Sequence, residues 1–249
     1  GSRLNQPNSR QILDALRARA NPEKAPLYQR FFKTGPGQYG EGDVFLGLTV
    51  PLVREVAKQY RSTPLTELDA LVASEFHEAR LCAIVILTNR YRANADQRPE
   101  LFQHYLKWVF AGRVNNWDLV DVSAPTFGEF LVSTGIDNQL IDRLCASQNL
   151  WERRVAVLLS AAFIQVNDFE LTLSLAEKLL GDRHDLMHKA VGWMLREVGK
   201  RDLEELRKFL AAHAAVMPRT MLRYSIEKLT PEERSHWMSQ RALSLSAQN

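Results

Sequence analysis

Apolar residues recur at helical spacing along almost the whole chain. Over 79–91, Leu81, Ile84, Val85 and Thr88 form one stripe; over 151–166, Val155, Leu158, Leu159 and Phe163 form another. The starts agree, because Pro22, Pro64, Pro218 and Pro231 each fall where a first helical turn would accept a proline. The pattern predicts roughly a dozen helices of about 10 to 18 residues, joined by short polar turns. No run of alternating strand positions occurs outside one glycine-rich stretch.

Short helices in succession predict an all-α chain arranged as a curved α-solenoid of HEAT- or armadillo-like repeats, with one concave face, rather than a closed bundle. Units of about 35 to 45 residues begin near Pro51, Glu75, Asn116, Leu150, His184 and Pro218, although identity between them is poor. No linker interrupts the pattern, so residues 1–249 are expected to form one domain, with 1–8 and 241–249 flexible. Gly1-Ser2 reads as a cloning remnant.

Composition narrows the class. The chain has 249 residues, 45% hydrophobic and 24% charged, ordinary values for a soluble globular protein that can build a core. No apolar run approaches the roughly 20 residues of a membrane span. Cys82 and Cys145 stand apart with no C-x-x-C, which predicts free thiols, a reducing compartment and a cytoplasmic protein. A net charge of +3 is only a weak pointer to nucleic acid, so the placement of the cations matters more than their sum.

The stretch KTGPGQYGEGDVFLGLTVP contains a literal G-x-G-x-x-G. A dinucleotide site needs a strand before it and a helix opening at its third glycine. Here Leu27–Phe32 reads as the end of a helix, and the residues after Gly40 are too short and too β-branched for the required helix. Glu55, at a tempting distance for a ribose contact, falls inside the helix opened by Pro51. The segment is expected to be a glycine-rich loop or short β-hairpin, with Gln38 and Tyr39 at its tip. Val44, Phe45 and Leu46 are expected to cap the first repeat.

Chemistry concentrates in 113-RVNNWDLVDVSAPTFGEFL-131. Asn115 or Asn116 can cap a helix on which Trp117 and Asp121 share a face. Asp118 sits near the helix start, where the macrodipole favours a carboxylate. Asp121, a turn later beside a tryptophan, has no such explanation. Trp151, Arg153 and Arg154 cluster on a second helix, and Lys189, Trp193, Arg196 and Lys200 fall on one face of a third. Cations interleaved with tryptophan make a poor core and a good surface for phosphates and for stacking. His184 and His188 are one turn apart, but without a third ligand they predict no metal site. No P-loop and no G-x-S-x-G occurs.

At these residues the chain resembles the AlkD-like family of DNA alkylation repair glycosylases, built from HEAT-like repeats. The resemblance runs from about Leu27 to Arg223 and is carried by GEGDVFLGLTVPLVR, NNWDLVDVSAP, LWERRVAVL and HKAVGWMLREVGKRD. It implies that Asp121 is the catalytic carboxylate, that Trp117 and Trp193 are aromatic walls, and that Arg154 is the active-site arginine. An aromatic of the second helix falls at Phe31 or Tyr28; if Phe31 stands where the family has tyrosine, a hydroxyl near the lesion is lost. DNA contacts are expected from Phe31, Gln38, Tyr39, Arg153, Lys189, Arg196, Lys200, Arg219 and Arg223. The implied substrate is duplex DNA carrying cationic N3- or N7-alkylated purines, handled by a monomer without metal, nucleotide or other cofactor. The resemblance also implies that the lesion is handled against the concave surface, and the sequence shows no obvious pocket for a base. Relatives with a protruding hairpin bind branched DNA with little glycosylase activity, which gives an alternative reading as a weak or inactive DNA binder. A protein-binding solenoid fits less well, because exposed aliphatics or charge of one sign would be expected.

Overall fold

The computed structural model describes residues 6–247, with side chains described as far as 240. The proposed cloning remnant Gly1-Ser2 lies outside the described residues, as do the side chains of the expected tail. Among the described residues the chain is helical with no strand, and Val44 and Phe76 form one isolated parallel bridge. The residues group into two compact units, Gly1–Ser123 and Ala124–Asn249. The division falls at a point where the sequence carries no linker composition.

The first unit comprises α1 (Ser9–Ala18), α2 (Ala25–Phe31), α3 (Val50–Gln59), α4 (Leu65–Val72), α5 (His77–Ala93), α6 (Arg98–Phe110) and α7 (Trp117–Asp121), with a short 3-10 turn at Ala95–Gln97. Asn8, expected in a flexible leader, instead closes a capping box with Gln11 and so belongs to α1. Pro22 lies in the turn before α2, and Pro26 occupies that helix's first turn. Helix α5 is the axis of this unit and packs against α1, α3, α4, α6 and α7. The apolar stripe expected over 79–91 is therefore too narrow, since every residue from His77 to Thr88 is buried. A helix surrounded by neighbours needs apolar or internally paired residues on all sides. Cys82 lies in this core, where burial pushes its thiol up to about 12.

The second unit contains α8 (Ala124–Thr134), α9 (Asn138–Cys145), α10 (Leu150–Leu159), α11 (Ala161–Gln165), α12 (Glu170–Lys178), α13 (Asp185–Arg201), α14 (Leu203–His213), α15 (Arg219–Ser225) and α16 (Pro231–Ala247). Its axis is α13, which packs on α10, α11, α12, α14 and α15. The stripe read over 151–166 is broken at Ser160, where α10 ends and α11 begins. The Ser160 hydroxyl donates to the Val157 carbonyl at 2.6 Å and accepts from Thr172 at 2.7 Å, so the buried break is satisfied. Helices of five to seven residues, such as α2, α7, α11 and α15, raise the number above the expected dozen. They are too short to show a period. No described helix is long and apolar enough to cross a membrane.

Candidate functional site

The glycine segment is a succession of turns, with no hairpin strands, folded back on α2. Gly40 donates to the Lys33 carbonyl at 2.9 Å, and a Cβ on Gly40 would stand 2.3 Å from the Phe32 carbonyl oxygen, so only glycine permits that approach. Gly47 has φ +88° and would clash with the Asn21 carbonyl if it carried a side chain. The anion held by this loop is the protein's own. Backbone N–H groups of Leu46, Gly47 and Leu48 donate to the Glu78 carboxylate at 2.9, 2.8 and 3.0 Å. Gln38 is exposed and its side-chain oxygen accepts from Gly35 at 3.0 Å, while the Tyr39 hydroxyl lies 3.5 Å from the Phe31 carbonyl.

This folding back brings Phe45 beside α2 and assembles a column of nearly parallel rings. Trp117 stacks on Phe32 (5.2 Å between centroids, 16°), Phe32 on Phe45 (5.0 Å, 24°), and Phe45 on the His77 imidazole (4.4 Å, 21°). Phe31 stands edge-on to Trp117 at 6.1 Å and is 62% exposed. Beside the column is a largely apolar cavity of about 320 Å³, bounded by Tyr28, Phe31, Val50 and Trp117, with His77, Glu78 and Asp118 among its polar lining. This cavity corrects the expectation of no obvious pocket. The ring partners lie far apart in the chain, and no local pattern joins them.

A closed charge network underlies the column. His77 Nδ1 lies 2.7 Å from Asp43 and Nε2 lies 2.7 Å from Asp118, so a doubly protonated ring donates to a carboxylate on each side. Burial works against that charge, but the charges of Asp118 and Asp43 and their hydrogen bonds prevail and raise His77 to about 9. Burial would likewise raise Asp43, yet the bond to His77 and the charges of His77 and Arg80 outweigh it and hold the carboxyl below its usual value. Arg80 donates to Asp43 at 2.7 Å, to Asn115 at 3.2 Å, and to the carbonyls of Ser74 and Glu75. Asp118 is thus a partner of His77, more than a helix-dipole carboxylate. Asn116, not Asn115, caps α7, accepting from the Trp117 N–H at 2.8 Å.

Helix α7 is held at its other end as well. The buried Tyr105 hydroxyl meets Ser123 Oγ at 2.7 Å, and Ser123 donates to the Leu119 carbonyl at 2.7 Å. Burial pushes the Tyr105 hydroxyl pKa up; the Ser123 bond opposes this and the nearby charge of Asp121 adds to it. Between these anchors Leu119 and Val120 face inward, fully buried, while Trp117 and Asp121 are only partly buried. Five residues therefore present an indole and a carboxylate from a fixed turn.

The remaining expected residues belong to the second unit. Arg154 is buried and donates to the Leu186 carbonyl at 2.8 Å, and Trp193 is half-buried on α13. The α13 cations expected to meet DNA are paired: Lys189 with Asp185 at 3.3 Å, Arg196 with Glu227, and Lys200 with Glu197 at 3.0 Å. Arg153 is bound to Asp182 at 2.8 Å and to the carbonyls of Ser147 and Gln148, and Arg219 donates to the Met238 carbonyl at 3.0 Å. Arg223 is exposed. His184 Nδ1 accepts from the Leu186 N–H at 3.1 Å as the cap of α13, and His188 bonds the Asp182 carbonyl. Among the described residues no group of three or more His, Cys, Asp or Glu could hold a metal ion. Phe32, His77, Asp43 and Arg80 were missed in the sequence and Phe45 was given only a capping role; the doubled phenylalanine at the end of α2 was the local signal available.

Residues 12–229 match the profile of the family described as DNA alkylation repair enzyme. Among solved structures, the chain is similar to a predicted DNA alkylation repair enzyme from Enterococcus faecalis, with 19% identity and a TM-score of 0.67 over 85% of this chain and 97% of that one. At that identity the likeness shows a shared fold. No curated protein sequence matches the chain.

Proposed function

On the premise that this chain belongs to the DNA alkylation repair enzyme family, we propose that it is a DNA glycosylase hydrolysing the N-glycosidic bond of cationic N3- and N7-alkylated purines in duplex DNA. The observation that carries this reading is α7, a short helix anchored at both ends that leaves Trp117 and Asp121 accessible between its buried residues. An N3- or N7-alkylated purine carries a positive charge and leaves without protonation, so the enzyme needs no general acid. What must be stabilised is the positive charge that develops on the deoxyribose as the bond breaks. The Asp121 carboxylate stabilises it electrostatically and orients the attacking water. The indole face of Trp117 adds cation–π attraction worth about 0.5 to 2 kcal/mol, and the family resemblance assigns Trp193 as a second aromatic wall and Arg154 as the active-site arginine. Neutral damaged bases, which must be protonated to leave, are poor substrates for such a site.

Release of 3-methyladenine and 7-methylguanine from methylated duplex DNA tests the reading. Asp121→Asn is expected to lower single-turnover release by about 10²- to 10³-fold, the range for loss of one preorganised electrostatic group, while leaving DNA affinity nearly unchanged. A second reading, a weak or inactive binder of damaged or branched DNA, is favoured by Phe31, which carries no hydroxyl. Absence of release by the wild-type protein, with salt-sensitive DNA binding intact, would select it.

A further inference from the structure

We propose that a cavity between α15 and α16 is an anion site for a phosphomonoester, the terminal phosphate of a small molecule or of a DNA strand. The inference does not rest on the glycosylase reading, because it concerns a different cavity, in the second unit. That cavity has a volume of about 310 Å³ and is lined by Arg223, Ile226, Glu227, Arg234 and Met238. Its size lies at the lower end of small-molecule sites, roughly 300 to 1,000 Å³, which suits one phosphate and the group that carries it. Two of the lining residues are arginines, and the one carboxylate among them is already paired with a third arginine, Arg196 of α13.

The arginines keep donors for a ligand. Arg223 is exposed and has no ion-pair partner among the described residues. Arg234 is held in place through Nη1, which donates to the Leu229 carbonyl at 3.0 Å and the Glu227 carbonyl at 3.4 Å, and the rest of its guanidinium retains N–H groups. Arg196 Nε is buried with no acceptor among the described residues, while its partner Glu227 is 55% exposed. A buried donor without an acceptor is costly, and an exposed carboxylate gives up its place at little cost. Charge then selects the anion. Arg196, Arg223 and Arg234 against Glu227 leave two positive charges in excess. A phosphomonoester carries about −1.5 to −2 at neutral pH, whereas a backbone diester carries one charge. Guanidinium forks match phosphate oxygens in pairs, and Ile226 and Met238 offer apolar surface to the group attached to the phosphate.

The test uses probes that carry no base. Methyl phosphate, a dianion at pH about 7.5 because its second pKa is about 6, and dimethyl phosphate, a monoanion, are titrated into the full chain by phosphorus NMR. Saturable one-to-one binding of methyl phosphate, at least about tenfold tighter than dimethyl phosphate, is expected. Arg223→Gln should weaken it about tenfold or more. Glu227→Gln removes the competing carboxylate and releases Arg196, so it should tighten binding about threefold. Arg183→Gln, at an exposed arginine of the second unit that does not line the cavity, should change nothing, and all four proteins should melt alike. No saturable binding of methyl phosphate, an affinity that Arg223→Gln leaves unchanged, or one that Glu227→Gln lowers would overturn the proposal. Dimethyl phosphate bound as tightly would return the cavity to the duplex backbone and overturn it as well. Two duplexes that differ only in a 5′-phosphate or a 5′-hydroxyl then identify the source. Tighter binding of the phosphorylated duplex, lost in Arg223→Gln, assigns the cavity to a strand end; equal binding assigns it to a free phosphomonoester. Failure of the phosphate titrations with 3-methyladenine release intact removes this site and leaves the glycosylase reading standing.

Discussion

Two charged regions use ion pairs to opposite ends. Around α5 of the first unit, His77, Asp43, Asp118 and Arg80 pair with side chains between 2% and 18% exposed. Along α13 of the second unit, the side chains of Lys189, Arg196, Lys200 and their acidic partners are between 19% and 59% exposed. A buried pair cannot be opened cheaply, because each released charge keeps its desolvation cost. An exposed pair is worth about 0 to 1 kcal/mol and can trade its carboxylate for a phosphate. The first network therefore fixes geometry beneath α7, and in the second Lys189 and Lys200 keep their ammonium groups in exposed pairs.

The comparison breaks most directly at His77. Replacing it with leucine removes the shared cation between Asp43 and Asp118, and should destabilise the protein by about 3 kcal/mol, the low end for a broken buried pair. The low end applies because Asp43 keeps Arg80 and Asp118 can reach solvent. Urea unfolding of wild type and His77→Leu measures it, and a loss below about 0.5 kcal/mol would mean the network is no stronger than a surface pair.

An effect of the same order lies in the pH dependence. His77 is raised to about 9 in the folded protein and is near 6.5 in an unfolded chain. The folded state thus holds a proton that the unfolded state releases. Its stabilisation is complete below about pH 6.5, declines as pH rises through that window, and is gone above the folded value near 9. Melting temperatures between those limits should fall for the wild type and stay level for His77→Leu. A wild-type curve as flat as the variant's would show that the ring is neutral in the fold.

The smallest change in stability belongs to α13. Lys189→Ala and Lys200→Ala should each alter unfolding free energy by less than about 0.5 kcal/mol. If those cations meet phosphates, each loss should also reduce the slope of log affinity against log salt by about 0.9 on duplex DNA. An unchanged slope in both variants would confine α13 to an internal structural role.

What could be read along the chain was local. The end of α2 at Phe31, the proline in the first turn of α3, the starts of α10 and α13, and the placing of Trp117 with Asp121 on one short helix all follow from spacing and capping chemistry. The same local reasoning removed the nucleotide interpretation of the glycine stretch, because a helix precedes it and no helix opens at its third glycine. Membership of the DNA alkylation repair family was legible from motifs spread over most of the chain.

Tertiary structure alone decided the rest. Asp118 looked like a residue placed for the helix dipole until a histidine 41 positions away closed on it. Glu78 gave no sign that it would receive the N–H groups of Leu46, Gly47 and Leu48. Arg196 read as a free cation because its partner, Glu227, lies on a different part of the chain, whereas Lys189 and Lys200 pair with Asp185 and Glu197 one turn away on α13 itself. Helix periodicity, caps and turns report forces that act within a few residues, so the amino-acid order determines them directly. The aromatic column, its cavity and the charge balance beneath it depend on which distant segments share a place from which water has been excluded, and packing settles that only once the chain has folded.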